Sequence, residues 1–232
     1  MAIAKNQDIK LAVDAIVFGY NQNELQVLLV KQKFGEMANK WVLPGGFVNN
    51  DEPLKDAVIR ELNEEAGIKV DYLEQLYTYG DNVHRDPRGR VVSVAYYALV
   101  DPSQFNITAG SDAKDAKWFP LLKVPKTGYD HNKMIQYAAT RLSDKIQYQP
   151  IGFELLADKF PFSDLENLYI TILGKQIDRR NFRKKVLASE ILIETNEFAS
   201  NAVGRPGKLY QFDKSRYYEL TKSGWQLDLK FL

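Results

Sequence analysis

The stretch from Gly46 to Ile68 constrains this chain more than any other. An apolar run, Trp41-Val-Leu-Pro44, leads into Gly45-Gly46, where a strand is expected to break into a loop. Pro53 suits the first turn of a helix, with Asp51 or Glu52 as its cap and acidic opening. Leu54, Ala57, Val58 and Leu62 recur at spacings of three and four. That spacing predicts a helix from Pro53 to Ala66 with the apolar stripe turned inward. Gly67 is placed to end it in a left-handed conformation. Glu61, Glu64 and Glu65 then fall at i, i+3 and i+4 and share one helix face.

Three crowded carboxylates repel one another unless a cation neutralises them. Their hard oxygens suit Mg2+ or Mn2+, and such an ion can clamp a diphosphate and acidify a water molecule. The plainer alternative is a solvated acidic helix face. Arg60 is a different kind of residue: it sits four positions before Glu64 and can also reach the loop residue Glu52.

The chain has 232 residues, 45% apolar and 26% charged, the makeup of a soluble globular protein with room for one large domain or two small ones. It has no cysteine, which excludes a disulfide framework and a thiolate zinc site. Residues 1–8 have no apolar signal core, and no run approaches the roughly 18 apolar residues that span a membrane, so the expected location is cytoplasmic. Strands are predicted at 9–19 and 24–32, joined by a turn at Tyr20–Asn23, and again at 72–79, 91–100 and 115–119. A polar loop fills 80–90. A helix is predicted over 131–142, with Met134, Tyr137, Ala138 and Leu142 inward. Mixed strands with helices on both faces make an α/β/α sandwich with a mixed sheet over residues 1–146. The aperiodic segment 143–150 reads as a linker to a second domain over residues 147–232.

That second domain reads as three helices and a hairpin. The first helix is 153–160. Ser163 or Asp164 can cap the second, whose stripe is Leu165, Leu168, Tyr169 and Ile172 and which Gly174 ends. Asp178 can cap the third, Arg179–Ala188, with strands at 191–195 and 209–212 after it. On the third helix Phe182, Val186 and Leu187 face one way, and Arg179, Arg180, Arg183 and Lys184 lie largely on the other. Basic density on one element is the footprint of phosphate binding. Two helices, a basic helix and a basic-tipped hairpin compose a winged helix-turn-helix that binds double-stranded DNA. Arg179, Arg180 and Asn181 would then approach base edges, with Arg183, Lys184, Arg205 and Lys208 on phosphates. The alternative is a solvated basic face on a dimerisation module. Reading a palindrome calls for a homodimer.

The spacing from Gly46 to Ile68, G-x5-E-x7-R-E-U-x-E-E-x-G-U with U apolar, is identified as a Nudix box. With the segments His84–Arg90 before Val91–Tyr97, Tyr148–Leu156, Asp178–Lys185 and Gly204–Phe212, nearly the whole chain resembles the Nudix-related transcriptional regulators of the NrtR family. The resemblance implies that Glu52 and Arg60 orient the carboxylates. It implies that Glu61, Glu64 and Glu65 bind the metal, that one of them can act as base, and that the Gly45 carbonyl is a further ligand. It also implies ADP-ribose or a related nucleoside diphosphate as ligand, metal-dependent pyrophosphatase activity, and regulation of NAD-metabolism genes. Arg85, Arg88 and Arg90 either contact the diphosphate or terminal ribose, or belong to a merely polar connecting loop. The downstream acidic residue that often supplies a base is unassigned, with Asp112 and Asp115 nearest. Two other readings stand beside this one: a stand-alone ADP-ribose pyrophosphatase whose C-terminal domain serves dimerisation or access, and a sugar-sensing regulator without catalysis. The intact box disfavours the last.

Overall fold

The computed structural model describes residues 8–105, 107, 113–199 and 206–226. Contacts divide the chain into two compact units. One comprises Met1–Gly19, Gln26–Val100 and Gln104–Ala138, the other Tyr20–Leu25, Asp101–Ser103 and Ala139–Leu232.

The first unit is built on all or most of strands β1 (Lys10–Asn21), β2 (Glu24–Gln32), β3 (Trp41–Val42), β4 (Gly45–Phe47), β5 (Tyr72–Tyr79), β6 (Val91–Val100) and β7 (Ala113–Pro120), with helix α1 (Leu54–Ala66) and the first part of α2 (His131–Lys145). Among the described residues the strands form a seven-stranded sheet whose main path runs β3-β2-β1-β6-β5, with β4 added to β1 and β7 to β2. β1 and β6 are parallel, from Lys10 opposite Val91 to Gly19 opposite Val100, whereas β1–β4, β2–β3, β2–β7 and β5–β6 are antiparallel. The sheet is therefore mixed, as expected. Val13 to Phe18 are buried on both faces of β1, which marks it as the central strand. Gln22 and Asn23 both adopt positive φ at the β1–β2 turn, the backbone that a tight hairpin needs.

Helix α1 packs Ala57, Val58, Leu62 and Ala66 into a core with Val13, Val17, Leu28 and Val94. Gly67 ends it at φ 66°, as expected. Its start differs from the expectation. Pro53 occupies the N-cap position with no side-chain cap, because Glu52 is taken by Asn49 and Arg60. Gly45–Phe47 is not a loop either but a short strand on β1. On α2, Met134, Ala138 and Leu142 are buried, whereas Tyr137 is exposed and meets the Tyr77 ring in a tilted contact at 5.6 Å.

The second unit holds β8 (Lys159–Pro161), α3 (Phe162–Leu173), α4 (Arg179–Ala188), β9 (Leu192–Phe198), β10 (Lys208–Phe212) and α5 (Lys214–Lys222). The strands form an antiparallel sheet in the order β8-β10-β9. Phe162, Leu165, Leu168, Tyr169, Phe182 and Val186 make the helical core, with Tyr169 and Phe182 ring centroids 4.7 Å apart. This is a winged helix with a strand ahead of its first helix. The expected helix over 153–160 is a single 3-10 turn, Phe153–Leu155, followed by β8. Pro161 stops helical continuation there, and pairing with β10 buries Phe160. Neither Ser163 nor Asp164 caps α3; Pro161 precedes its first turn, and Phe162 enters the core directly. Leu187 is exposed rather than inward. Helix α5 was not expected from apolar periodicity, but Asp213 caps it by accepting from Arg216 N at 2.9 Å. Among the described residues no helix is long and apolar enough to cross a membrane.

Candidate functional site

The Gly45–Gly46 strand places backbone where side chains would not fit. A Cβ at Gly45 would lie 2.2 Å from the Val13 carbonyl oxygen, and one at Gly46 would lie 2.2 Å from Glu61 Oε1. The missing side chains thus let β4 close on β1 and let the Glu61 carboxylate close on β4. Glu65 Oε2 accepts the Gly45 N–H at 2.9 Å, bringing a second carboxylate of α1 to the same strand.

Arg60 organises the rest. Its Nε and Nη2 donate to the two oxygens of Glu52 at 2.7 and 2.9 Å, a bidentate pair. Its Nη1 donates to Glu61 at 2.7 Å and to Glu64 at 3.2 Å, and Nη2 also reaches the Phe47 carbonyl at 3.2 Å. One guanidinium therefore joins the loop glutamate, β4 and two carboxylates of α1. The Arg60 hydrogen bond holds the Glu52 carboxyl below its ordinary range. Burial pushes Glu61 upward and outweighs the opposing pull of Arg60. The Arg60 guanidinium itself is held more firmly protonated, first by Glu52 and then by Glu61.

All five box residues thus meet, with Glu64 the most exposed of the helix carboxylates paired to Arg60. Among the described residues no three acidic or histidine side chains are already gathered at cation-ligating spacing, since Glu61 and Glu64 turn to Arg60 and Glu65 to Gly45. The donor set nevertheless fits a divalent cation. It is made of hard oxygens, and Gly46 leaves the space in which the Glu61 carboxylate sits.

A second polar cluster adjoins β4, around a narrow cavity of about 30 Å3 lined by Asp14, Gly45, Arg85, Arg88, Tyr129 and His131 among others. Arg85 is only 3% exposed and donates to both oxygens of Asp130, at 3.1 and 2.7 Å. Burial disfavours its charge, but Asp130 and Asp14 prevail and raise its pKa. Arg88 is bidentate with Asp86 and lies 4.5 Å over the Phe47 ring, with Tyr129 at 5.4 Å. It stays 40% exposed beside the strand. Arg90 ties the loop ends together by donating to Gly80 O at 2.6 Å. Of the three loop arginines, Arg85 and Arg88 line the cavity, and Arg90 does not. A wider groove of about 470 Å3 opens beside Phe47, Asn49 and Glu52, with Ile9, Leu11 and Leu54 on its walls.

Sequence reasoning missed Asp14, Ser93, Asp86, Tyr129, Asp130 and His131. Two signals were available: Asp14 interrupts an apolar strand, and His131 is one of only two histidines. Asp115 is exposed on β7, and Asp112 lies outside the described residues.

In the second unit Asp178 caps α4 as expected, accepting from Asn181 N at 3.0 Å. Arg179 is tied to Glu166 at 2.7 Å and Asn167 at 3.2 Å, and so braces α4 against α3. Arg183 lies 4.5 Å over Phe162 and donates to Tyr210 OH at 3.1 Å, bracing α4 against β10. Arg180 and Lys184 are exposed on α4. Lys208 pairs with Glu194 across the β9–β10 ladder. Arg205 lies outside the described residues.

A mixed sheet bearing an arginine-centred carboxylate array, joined in one chain to a capped basic helix and wing, defines a phosphate-handling domain coupled to a nucleic-acid-binding one. The NUDIX domain family matches residues 9–138, and the NrtR DNA-binding winged helix domain matches residues 152–212. The chain belongs to the Nudix family and carries the winged helix of its NrtR branch. It is similar to the ADPR responsive transcriptional repressor NtrR of Acinetobacter baylyi, with 33% identity over 89% of this chain and 83% of the relative. It is also similar to the ADP-ribose pyrophosphatase of Methanocaldococcus jannaschii, 37% identical over 58% of this chain and 80% of that protein. The crystal structure of Shewanella oneidensis NrtR complexed with a 27mer DNA superposes with a TM-score of 0.80 at 35% identity, covering 90% of this chain and 95% of that one.

Proposed function

We propose that this chain is a ligand-responsive transcription regulator acting as a homodimer in the cytoplasm. Residues 1–146 bind and hydrolyse ADP-ribose or a related nucleoside diphosphate with a divalent cation, Mg2+ or Mn2+. Residues 147–232 bind double-stranded DNA near genes of NAD metabolism. The observation that carries this reading is Arg60 gathering Glu52, Glu61 and Glu64 against the Gly45–Gly46 strand. The relatives named as an ADPR responsive repressor and as an ADP-ribose pyrophosphatase support the two halves of the reading.

Glu61, Glu64, Glu65 and the Gly45 carbonyl would hold the metal. When bound, it supplies charge neutralisation for the diphosphate and acidification of a water molecule. The chain supplies the rest. Arg60 fixes the direction of the carboxylates through its bonds to Glu52 and Phe47. Arg88, held by Asp86 and stacked on Phe47, presents a fixed positive charge to an anionic ligand. Arg85 supports that wall from inside, and Arg90 sets the loop ends. The groove beside Phe47 has the size range of small-molecule sites and suits the nucleoside part. On α4, Arg180 and Asn181 approach base edges while Arg179 and Arg183 brace the helix. Lys184, Arg205 and Lys208 serve phosphates.

The test is duplex binding with DNA from upstream of the gene and its neighbours, with and without ADP-ribose, alongside product analysis for AMP and ribose 5-phosphate. Binding that responds to ADP-ribose supports the proposal. No binding to any fragment at low salt in either state leaves only the enzyme, and a response to a free pentose but not to ADP-ribose indicates a sugar sensor.

A further inference from the structure

His131 stands at the start of α2, far in sequence from the box, yet it is 3% exposed and touches the segment that enters β4. Its Nδ1 accepts the Leu43 N–H at 2.8 Å. An imidazole that accepts at Nδ1 carries its proton on Nε2. That Nε2 lies 3.4 Å from Asp14 Oδ1. Asp14 in turn accepts from the buried Ser93 hydroxyl at 2.5 Å and lies opposite Gly45 in the β1–β4 pairing.

The surrounding bonds complete the restraint. Gly128 N donates to Trp41 O at 2.8 Å, so the approach to α2 runs alongside the segment that ends in Leu43. Ala15 N donates to Pro44 O at 2.8 Å, and Gly45 N donates to Glu65 at 2.9 Å. Consecutive residues from Leu43 to Gly45 are thus each held by a different partner: His131, Ala15 and Glu65. Pro44 has no N–H of its own to anchor, so the Leu43 amide is the last donor before Gly45. Tyr129 adopts φ 50°, an unusual conformation for a tyrosine, two residues before His131. The backbone strain marks a segment held in place by its surroundings.

We propose that His131 is a positioning residue for the Gly45 peptide: by holding the Leu43 amide it sets the direction in which the Gly45 carbonyl points beside the carboxylates of α1. The proposal rests on the reading of that carbonyl as a metal ligand. Groups that orient ligands without touching the metal commonly change affinity by about 10- to 100-fold when lost.

Two substitutions separate the two ends of the ring. His131→Asn retains an acceptor near the Nδ1 position, and His131→Gln retains a polar atom near Nε2 but loses the Leu43 contact. The probe is Mn2+ alone, titrated into the full chain and followed by electron paramagnetic resonance. The expected result is His131→Asn within about threefold of the parent and His131→Gln weakened by about 10-fold or more. With ADP-ribose, His131→Gln lowers kcat more than it raises KM. Equal Mn2+ affinity in the two variants overturns the positioning role alone, whereas a parent chain that takes up no Mn2+ overturns the metal-site reading and this proposal together. Nitrogen NMR of the parent protein gives a check that needs no variant: Nδ1 unprotonated and Nε2 protonated supports the role, and the opposite tautomer overturns it.

Discussion

Adding one methyl group to each of the neighbouring glycines of β4 should produce two different failures. At Gly46 the new Cβ would lie 2.2 Å from Glu61 Oε1, where ordinary contact begins near 3.4 Å. The obstacle is the end of a flexible side chain, so Glu61 swings aside by roughly 1 Å and loses its 2.7 Å bond to Arg60. A displacement of about 1 Å in a catalytic group costs on the order of 100-fold in rate. The fold loses only about 1 kcal/mol, the net worth of one partly exposed hydrogen bond. At Gly45 the Cβ meets the Val13 carbonyl oxygen at 2.2 Å and the Asp14 Cα at 2.9 Å. Both belong to the central strand and cannot yield, so Gly45→Ala costs about 3 kcal/mol or more through overpacking. The assays are kcat/KM for ADP-ribose and thermal melting. Gly46→Ala is expected to melt within about 2–4 °C of the parent and to have lost about 100-fold in activity; Gly45→Ala is expected to melt roughly 6–12 °C lower. Gly46→Ala retaining a third of the parent's activity, or the two variants melting alike, would refute the reasoning.

Glu64→Gln should lower ADP-ribose hydrolysis by about 100-fold, and excess chelator should abolish it in the parent; turnover surviving either treatment removes the carboxylate cluster from the chemistry. Burial depresses the His131 pKa, with Arg85 acting in the same direction and Asp14, Asp130 and Asp86 opposing. The folded state therefore binds fewer protons at this ring than the unfolded chain. The stability it contributes is complete above the unfolded value of about 6.5 and is lost as pH falls through the lower folded value. Chemical denaturation in that window should show a shallower pH slope in His131→Asn, and an unchanged slope contradicts the buried neutral ring. In salt-titrated DNA binding, Lys208→Ala should weaken all duplexes alike and flatten the slope by about one unit, whereas Arg180→Ala should cost about 1–3 kcal/mol at one base position. Equal effects of the two across sequences would argue against α4 in the major groove.

Much of this protein is local and was therefore legible in the sequence. The α1 stripe, its Gly67 stop, the clustering of Glu61, Glu64 and Glu65 on one face, the Asp178 cap and the apolar face of α3 depend on spacing along one helix, which the sequence carries directly. Strands β1, β2, β5 and β6 were legible for the same reason. What depends on partners far along the chain was not. Gly45–Phe47 became a strand because residues Ala12–Asp14 of β1 pair with it, and Lys159–Pro161 became one because β10 pairs with it. Arg179 was expected near base edges, and its bond to Glu166 on another helix had no signal along α4. For Arg85 the sequence left ligand contact and a merely polar loop open, and only tertiary folding shows it buried beside Asp130 and Asp14. His131 stood out only as one of two histidines, and nothing near it in the chain marked its role, because its partner is an amide 88 residues away. Periodicity reports which face of an element is buried; it cannot report which buried polar atoms will face each other, and that matching of donors to acceptors across the fold is what only the tertiary structure decided.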